Sequence, residues 1–218
     1  LRILLAGTDS ASEAYTRRIL KTVSRMGAHV EIVRLPITIS PNQFTNVIAE
    51  LNEDQEVHGV IIQTPYPEHI PSQLVTTMLD PAKDVDCITP FRMGELFSGS
   101  STFAPATAAA VMQLLDHFQI PLAGARVAVL GRSNTVGKPL AALLIKRNAT
   151  VSILHSATLN LDRETREAEI LIVAIGQPGF ITAEYVRDGA VVIDVGTNYD
   201  TGELVGDVDY SSVARVAS

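Results

Sequence analysis

Among its 218 residues the sequence has a single cysteine, Cys87, and no tryptophan, and aromatic residues make up only 5%. One cysteine excludes an internal disulfide and any multi-cysteine metal site, and it fits a reducing compartment. Basic residues are also scarce: 17 Lys and Arg against 24 Asp and Glu leave a net charge of −7. That balance argues against a general nucleic-acid binder, which would carry a basic face. No apolar run approaches the ~20 residues needed to cross a bilayer. No His, Cys and Asp grouping has the spacing of metal ligands. The sequence also lacks internal repeats and low-complexity segments. What remains is globular in character, with 46% hydrophobic and 19% charged residues and enough length to bury a substantial core.

The first residue is a leucine, and Leu1–Ala6 reads as a strand already under way; Ser211–Ser218 reads as a helix without a stop signal. We therefore expect a fragment, or the ordered part, of a longer chain. A targeting segment ahead of Leu1 stays open, and a cytoplasmic location is the expectation the lone cysteine supports.

Strand-like runs alternate with helical patterns along the whole length, the signature of an α/β fold with parallel sheets. Strands are expected at Ile3–Ala6, Val30–Val33 and Gly59–Ile62, then at Arg126–Leu130, Thr150–Leu154, Ile170–Ala174 and Val191–Val195. The later runs are apolar almost without a break, as strands covered on both faces are. Helices are expected over Ser12–Arg25, Pro41–Leu51, Pro71–Leu79 and Ala106–Phe118. Ser40 can cap the second of these, with Pro41 at its first helical position. Asp80–Thr102 reads as irregular and Pro121–Gly124 as a hinge. The reading is two α/β lobes, residues 1–120 and 121–218, with a cleft between them.

The most informative stretch is Gly131-Arg-Ser-Asn-Thr-Val-Gly-Lys-Pro139, between the strand Arg126–Leu130 and a helical run from Leu140. A strand, a glycine turn and a helix N-terminus in that order make an anion site, because unpaired N–H groups point outward there. Gly131, Arg132, Ser133, Val136 and Gly137 are thus candidate cofactor contacts. Arg132 in the turn points to a nucleotide with an extra phosphate, NADP rather than NAD. An ordinary β–α turn is the alternative. His155 and Ser156 follow the next strand, where a Rossmann-like domain meets the adenosine ribose. The acidic residue that would bind a 2′-hydroxyl is missing, and His and Ser suit a 2′-phosphate; a plain polar strand end is the alternative. Gly176 and Thr197 lie in the turns closing two further strands, where glycine lets backbone approach a planar ring or simply serves the turn.

In the first lobe Gln63 ends the third strand, Asp84 and Asp86 sit in a proline-flanked loop, and Tyr15 shares a helix face with Ser12. Taken singly, each has a structural explanation.

In this order the motifs resemble the methylenetetrahydrofolate dehydrogenase/cyclohydrolase family over essentially the whole chain. The second lobe carries Gly131-Arg-Ser with Val136-Gly-Lys-Pro139, His155-Ser-Ala-Thr158, Ala174-Ile-Gly-Gln-Pro-Gly179, Val192-Ile-Asp-Val-Gly196 and Gly206-Asp-Val208. The first carries Asp9-Ser-Ala-Ser12, Tyr15, Gln63-Thr-Pro65 and Lys83-Asp-Val-Asp86. The resemblance implies an N-terminal lobe binding a tetrahydrofolate derivative, a Rossmann-like NADP lobe and a homodimer. It implies oxidation of 5,10-methylenetetrahydrofolate, followed by hydrolysis of the methenyl product to 10-formyltetrahydrofolate. By the same resemblance Asp86 bonds the pterin edge, Tyr15 packs beside the folate, and Gln63 supports a catalytic lysine. Arg132, His155 and Ser156 hold the 2′-phosphate.

One departure matters most. The family lysine stands one helical turn after the tyrosine, and here that position is Ile19. Lys21 is rotated by ~200° from it, nearly onto the opposite face, and Arg18 stays protonated. The cyclohydrolase step is therefore expected to be lost or weak, while hydride transfer needs no protein base. Cys87 replaces a glycine, Pro105-Ala-Thr-Ala108 replaces Pro-Cys-Thr-Pro, and Thr135 replaces an isoleucine or valine. The family's first helix and its C-terminal Pro/Gly-rich segment have no counterpart in this sequence. A non-catalytic nucleotide- or folate-binding paralogue, with a regulatory or assembly role, is the alternative reading.

Overall fold

The computed structural model describes residues 1–7, 10–101, 103–200 and 203–218. The chain forms two compact units, Leu1–Gly94 and Glu95–Ser218.

The first unit is a three-stranded parallel sheet ordered β2-β1-β3, from β1 (Arg2–Ala6), β2 (Glu31–Leu35) and β3 (Val60–Ile62). Leu4 of the central strand pairs with Val33 on one side and Ile62 on the other. Ile3, Leu4 and Leu5 are essentially inaccessible, which is why β1 is apolar without alternation. Helices α1 (Ser10–Arg25), α2 (Pro41–Glu53) and α3 (Ser72–Met78) supply the crossovers and cover. The α2 start follows the sequence: Gln43 N–H donates to Ser40 Oγ at 3.3 Å, Ser40 N–H donates to Gln43 Oε1 at 3.1 Å, and Pro41 opens the first turn. Phe44 and Ile48 of α2 pack with Leu4, Val60, Val75 and Leu79 into one core.

Asp80–Thr102, expected to be irregular, contains α4 (Pro90–Ser98). Gly94 in its middle weakens the helical signal, but buried Leu96 gives the helix an apolar anchor. The division between the units falls inside α4 and not at residue 120.

The second unit begins with α5 (Ala106–His117), whose Ala108, Val111, Met112 and Leu115 share a core with Val127, Val129, Leu140, Leu144 and Ile172. That shared core is the reason α5 belongs here and not to a 1–120 lobe. It also places the Pro105–Ala108 departure in the second unit. The expected hinge is instead tied down: Leu122 is buried, and Gly124 N–H donates to Asn148 O at 2.8 Å.

Strands β4 (Arg126–Leu130), β5 (Thr150–Leu154), β6 (Ile170–Val173) and β7 (Val191–Asp194) form a parallel sheet ordered β5-β4-β6-β7. Helix α6 (Gly137–Lys146) packs on one face. On the other face Ala128, Leu130, Leu171 and Val173 meet Ile181, Val186 and Val213. Short α7 (Leu161–Arg166), the antiparallel hairpin β8 (Asn198–Asp200) and β9 (Glu203–Val205), and α8 (Tyr210–Val213) complete the unit.

Candidate active site

In the first unit the candidate residues lie around the carboxyl end of β3 and on α1. Gln63 N–H extends the ladder by donating to Leu4 O at 2.9 Å. Ser12 Oγ donates to Thr64 O at 3.1 Å, which ties α1 to the residue after Gln63. Ser12, Thr16 and Ile19 follow i, i+4, i+7 spacing, so they share the α1 face held there, with Tyr15 alongside. Thr16 is fully buried and Gln63 is 6% exposed, and neither Thr16 Oγ1 nor Gln63 Nε2 has a hydrogen-bond partner among the described residues. Such buried orphans are rare and costly, and they mark places where a partner is expected. Ile19, partly buried on this face, is aliphatic and cannot be that partner.

Asp84 is 2% exposed and accepts N–H bonds from Ile88 at 3.1 Å and Thr89 at 2.8 Å. It is thereby fixed as a loop anchor. Asp86 is different: burial first, and then the Asp84 charge, push its carboxyl above the usual range. Tyr15 is half exposed; burial and then the Asp86 charge push its phenol up. The Asp86 charge is thus felt at the Tyr15 phenol. Lys83 donates from Nζ to the carbonyls of Leu51 and Asp54, both at 2.7 Å, and so caps the end of α2. Lys21 lies on the exposed side of α1. Asp9, of the expected Asp9–Ser12 motif, lies outside the described residues.

In the second unit the strand order reverses direction between β4 and β6, and ligands of open α/β sheets bind outside the carboxyl ends at such a point. Gly131 lies there with φ of +126°, and a Cβ on it would stand under 3.0 Å from Ala174 O. A Cβ on Gly137 would crowd Gly131 O equally, so both glycines are required by close backbone approach. Ser133 Oγ accepts from Val136 N–H at 3.1 Å and Gly137 N–H at 3.4 Å, which shapes the turn into α6. Val136 is partly buried at the N-cap.

Leu130 pairs with Leu154, and Gly131 N–H donates to Leu154 O at 2.9 Å, so the turn leaves the sheet beside His155 and Ser156. Arg132 and Ser156 are exposed, and Arg132 has no acidic partner among the described residues. Ala157 N–H donates to His155 Nδ1 at 3.2 Å, leaving Nε2 as the ring's remaining hydrogen-bonding atom. Gly176 has φ of +67° in the turn after β6, and Thr197 is exposed after β7. The expected nucleotide residues thus gather at one edge of one sheet.

Sequence reasoning missed Thr16 and gave Asp194, Asn198 and Asp207 no role. The available signal was glycine placed next to aspartate at strand ends, in Asp194-Val-Gly196 and Gly206-Asp207.

Residues 105–218 match the family model described as tetrahydrofolate dehydrogenase/cyclohydrolase, NAD(P)-binding domain, and residues 1–86 match the corresponding catalytic domain. The chain is 45% identical over 219 residues to the bifunctional protein FolD of Streptococcus pneumoniae, spanning 100% of this chain and 77% of that one. The structure of the bifunctional FolD enzyme from Campylobacter jejuni, a methylenetetrahydrofolate dehydrogenase/cyclohydrolase, aligns with a TM-score of 0.95 at 36% identity, covering 100% of this chain and 78% of that chain. The Trypanosoma brucei enzyme, solved with NADP cofactor and an inhibitor, aligns with a TM-score of 0.93 at 33% identity, over 99% of this chain and 76% of that chain.

Proposed function

This chain belongs to the tetrahydrofolate dehydrogenase/cyclohydrolase family, and we propose that it oxidises 5,10-methylenetetrahydrofolate to 5,10-methenyltetrahydrofolate with NADP, while hydrolysis of the methenyl product is lost or weak. One observation carries this reading. Gln63 presents a buried amide without a partner beside the α1 face on which Ile19 stands where the family has a lysine.

NADP fits the second unit. The α6 N-terminus and the glycine turn offer an anion site, and Arg132, Ser156 and His155 offer donors for a 2′-phosphate, with a planar guanidinium that suits bidentate phosphate contacts. When bound, the cofactor supplies the hydride acceptor, while the protein supplies binding and orientation. In the first unit the Tyr15 ring offers a face for the folate. Asp86, whose carboxyl is pushed up by burial and by Asp84, keeps its proton to higher pH than an ordinary aspartate and can pair with the polar pterin edge. Hydride transfer leaves no proton for a side chain to carry, so Ile19 does not obstruct oxidation. Hydrolysis of the methenyl carbon adds water and must move a proton, which an isoleucine cannot do.

NADP reduction with 5,10-methylenetetrahydrofolate tests the first half of this reading. Sustained turnover supports a dehydrogenase. Nucleotide binding without turnover supports a non-catalytic paralogue with a regulatory or assembly role, which Ile19, Ala106 and Ala108 favour and which Tyr15, Gln63 and Asp86 oppose. A homodimer is the assembly we infer, and sedimentation equilibrium checks it.

A further inference from the structure

Asp207 is fully buried, yet no cationic side chain partners it among the described residues. Its Oδ2 accepts from Ile175 N–H at 2.7 Å and Gly176 N–H at 2.9 Å, and its Oδ1 accepts from Gln177 N–H at 2.8 Å and Asn198 Nδ2 at 2.8 Å. Three successive backbone amides and one side-chain amide therefore use roughly the four acceptor sites of one carboxylate. A second carboxylate braces the first: Asp194 Oδ1 accepts from Gly196 N–H at 2.9 Å and Asp207 N–H at 3.1 Å, and Asp194 Oδ2 accepts from Val208 N–H at 3.0 Å. The brace exists because two residues lack side chains. A Cβ on Gly196 would overlap Asp207, and one on Gly206 would overlap Asp194, although neither glycine has a positive φ.

The clamped segment matters because of its position. Residues 175–177 come one residue after β6, and the intervening Ala174 supplies the carbonyl oxygen against which the Gly131 turn closes. The clamp thus fixes the β6 side of the crevice whose β4 side carries Arg132 and Ser133. Without Asp207, three consecutive amides in a turn that contains a positive-φ glycine lose their protein acceptor, and the loop is left freer to move. Interactions of a carboxylate with N–H groups are among the stronger hydrogen bonds available.

We propose that Asp207 is a positioning residue for the nicotinamide-nucleotide site, acting through the 175–177 amides, with Asn198 as its side-chain partner and Asp194 as its brace. The proposal rests on reading the second unit as that site. It concerns the rigidity of the crevice wall, not contact with the cofactor.

The test uses the full chain and NADP⁺ itself. Asp207→Asn keeps the size but turns one acceptor into a donor against Gln177 N–H, so the dissociation constant for NADP⁺ should rise about tenfold. The 175–177 amides should lose hydrogen-exchange protection, while the circular dichroism spectrum and folate binding to the first unit stay as in the wild type. Should Asp207→Asn fail to fold, Asn198→Asp sets a second acceptor against Asp207 Oδ1 and should weaken NADP⁺ binding in the same direction. The combination Asp207→Asn with Asn198→Asp pairs the amide with the new carboxylate and should recover part of the loss. Unchanged NADP⁺ affinity in both single variants overturns the proposal and leaves the functional reading intact. A wild-type chain that binds no nicotinamide nucleotide overturns both.

Discussion

Gly131→Ala is the substitution whose effect the structure specifies most closely. Two penalties combine. The backbone at φ of +126° lies where side-chain-bearing residues rarely go, a cost of about 1–3 kcal/mol. The new methyl would also stand under 3.0 Å from Ala174 O, with the Ala174 carbonyl carbon at 3.1 Å. That neighbour is backbone at the end of a central strand and cannot swing aside, so overpacking adds about 1–3 kcal/mol. The total, about 2–6 kcal/mol, is a large share of a domain's ordinary stability of ~5–15 kcal/mol. Gly179→Ala is the matched control: its φ of +61° is also left-handed, but nothing lies within 4 Å, leaving only a conformational cost of about 1–2 kcal/mol. Denaturant titration of both variants, with NADP⁺ titration of each, measures the difference. Gly131→Ala should unfold at clearly lower denaturant and bind NADP⁺ poorly. Equal stability for the two variants, with NADP⁺ binding retained in Gly131→Ala, would refute the close-approach argument.

Ile19→Lys should raise methenyltetrahydrofolate hydrolysis well above the wild-type level, whereas Ile19→Met, similar in volume but without an ammonium, should not; single-turnover rates compare them. Arg132→Ala should raise KM for NADP by roughly 10–100-fold through loss of a charge-assisted contact and leave NAD almost untouched; an equal loss for both nucleotides would contradict the 2′-phosphate assignment. Asp86 has its carboxyl pushed up by burial and by Asp84, so the native state is favoured while this group is protonated. That contribution is full below the ordinary aspartate pKa of ~3.9 and is lost as pH rises through the raised value. Asp86→Asn should therefore raise Tm at pH 7 and lose the advantage near pH 3–4, while folate-dependent turnover falls.

Much of the fold was legible because strands covered on both faces leave continuous apolar runs. Arg126–Leu130 and Thr150–Leu154 were bounded to the residue, and Ser40 with Pro41 marked the start of α2. Less was legible where long-range packing decides. Helix α4 carries Gly94 and is held by one buried leucine, and α5 joined the second unit through a core shared with residues far along the chain. In the site, glycine turns and strand-end polar residues announced themselves by order, and the missing lysine was visible as Ile19. The carboxylate clamp was not, because Asp207 finds its backbone partners about thirty residues upstream and depends on glycines that look like simple turn formers. The orphaned amide of Gln63 likewise shows only once α1 and β3 are packed together.

The most direct check on the central claim follows methenyltetrahydrofolate after a burst of NADPH formation from 5,10-methylenetetrahydrofolate. The account predicts that methenyltetrahydrofolate accumulates in step with NADPH and then decays at the rate of buffer alone, whatever the protein concentration. Decay that accelerates in proportion to added protein would contradict it.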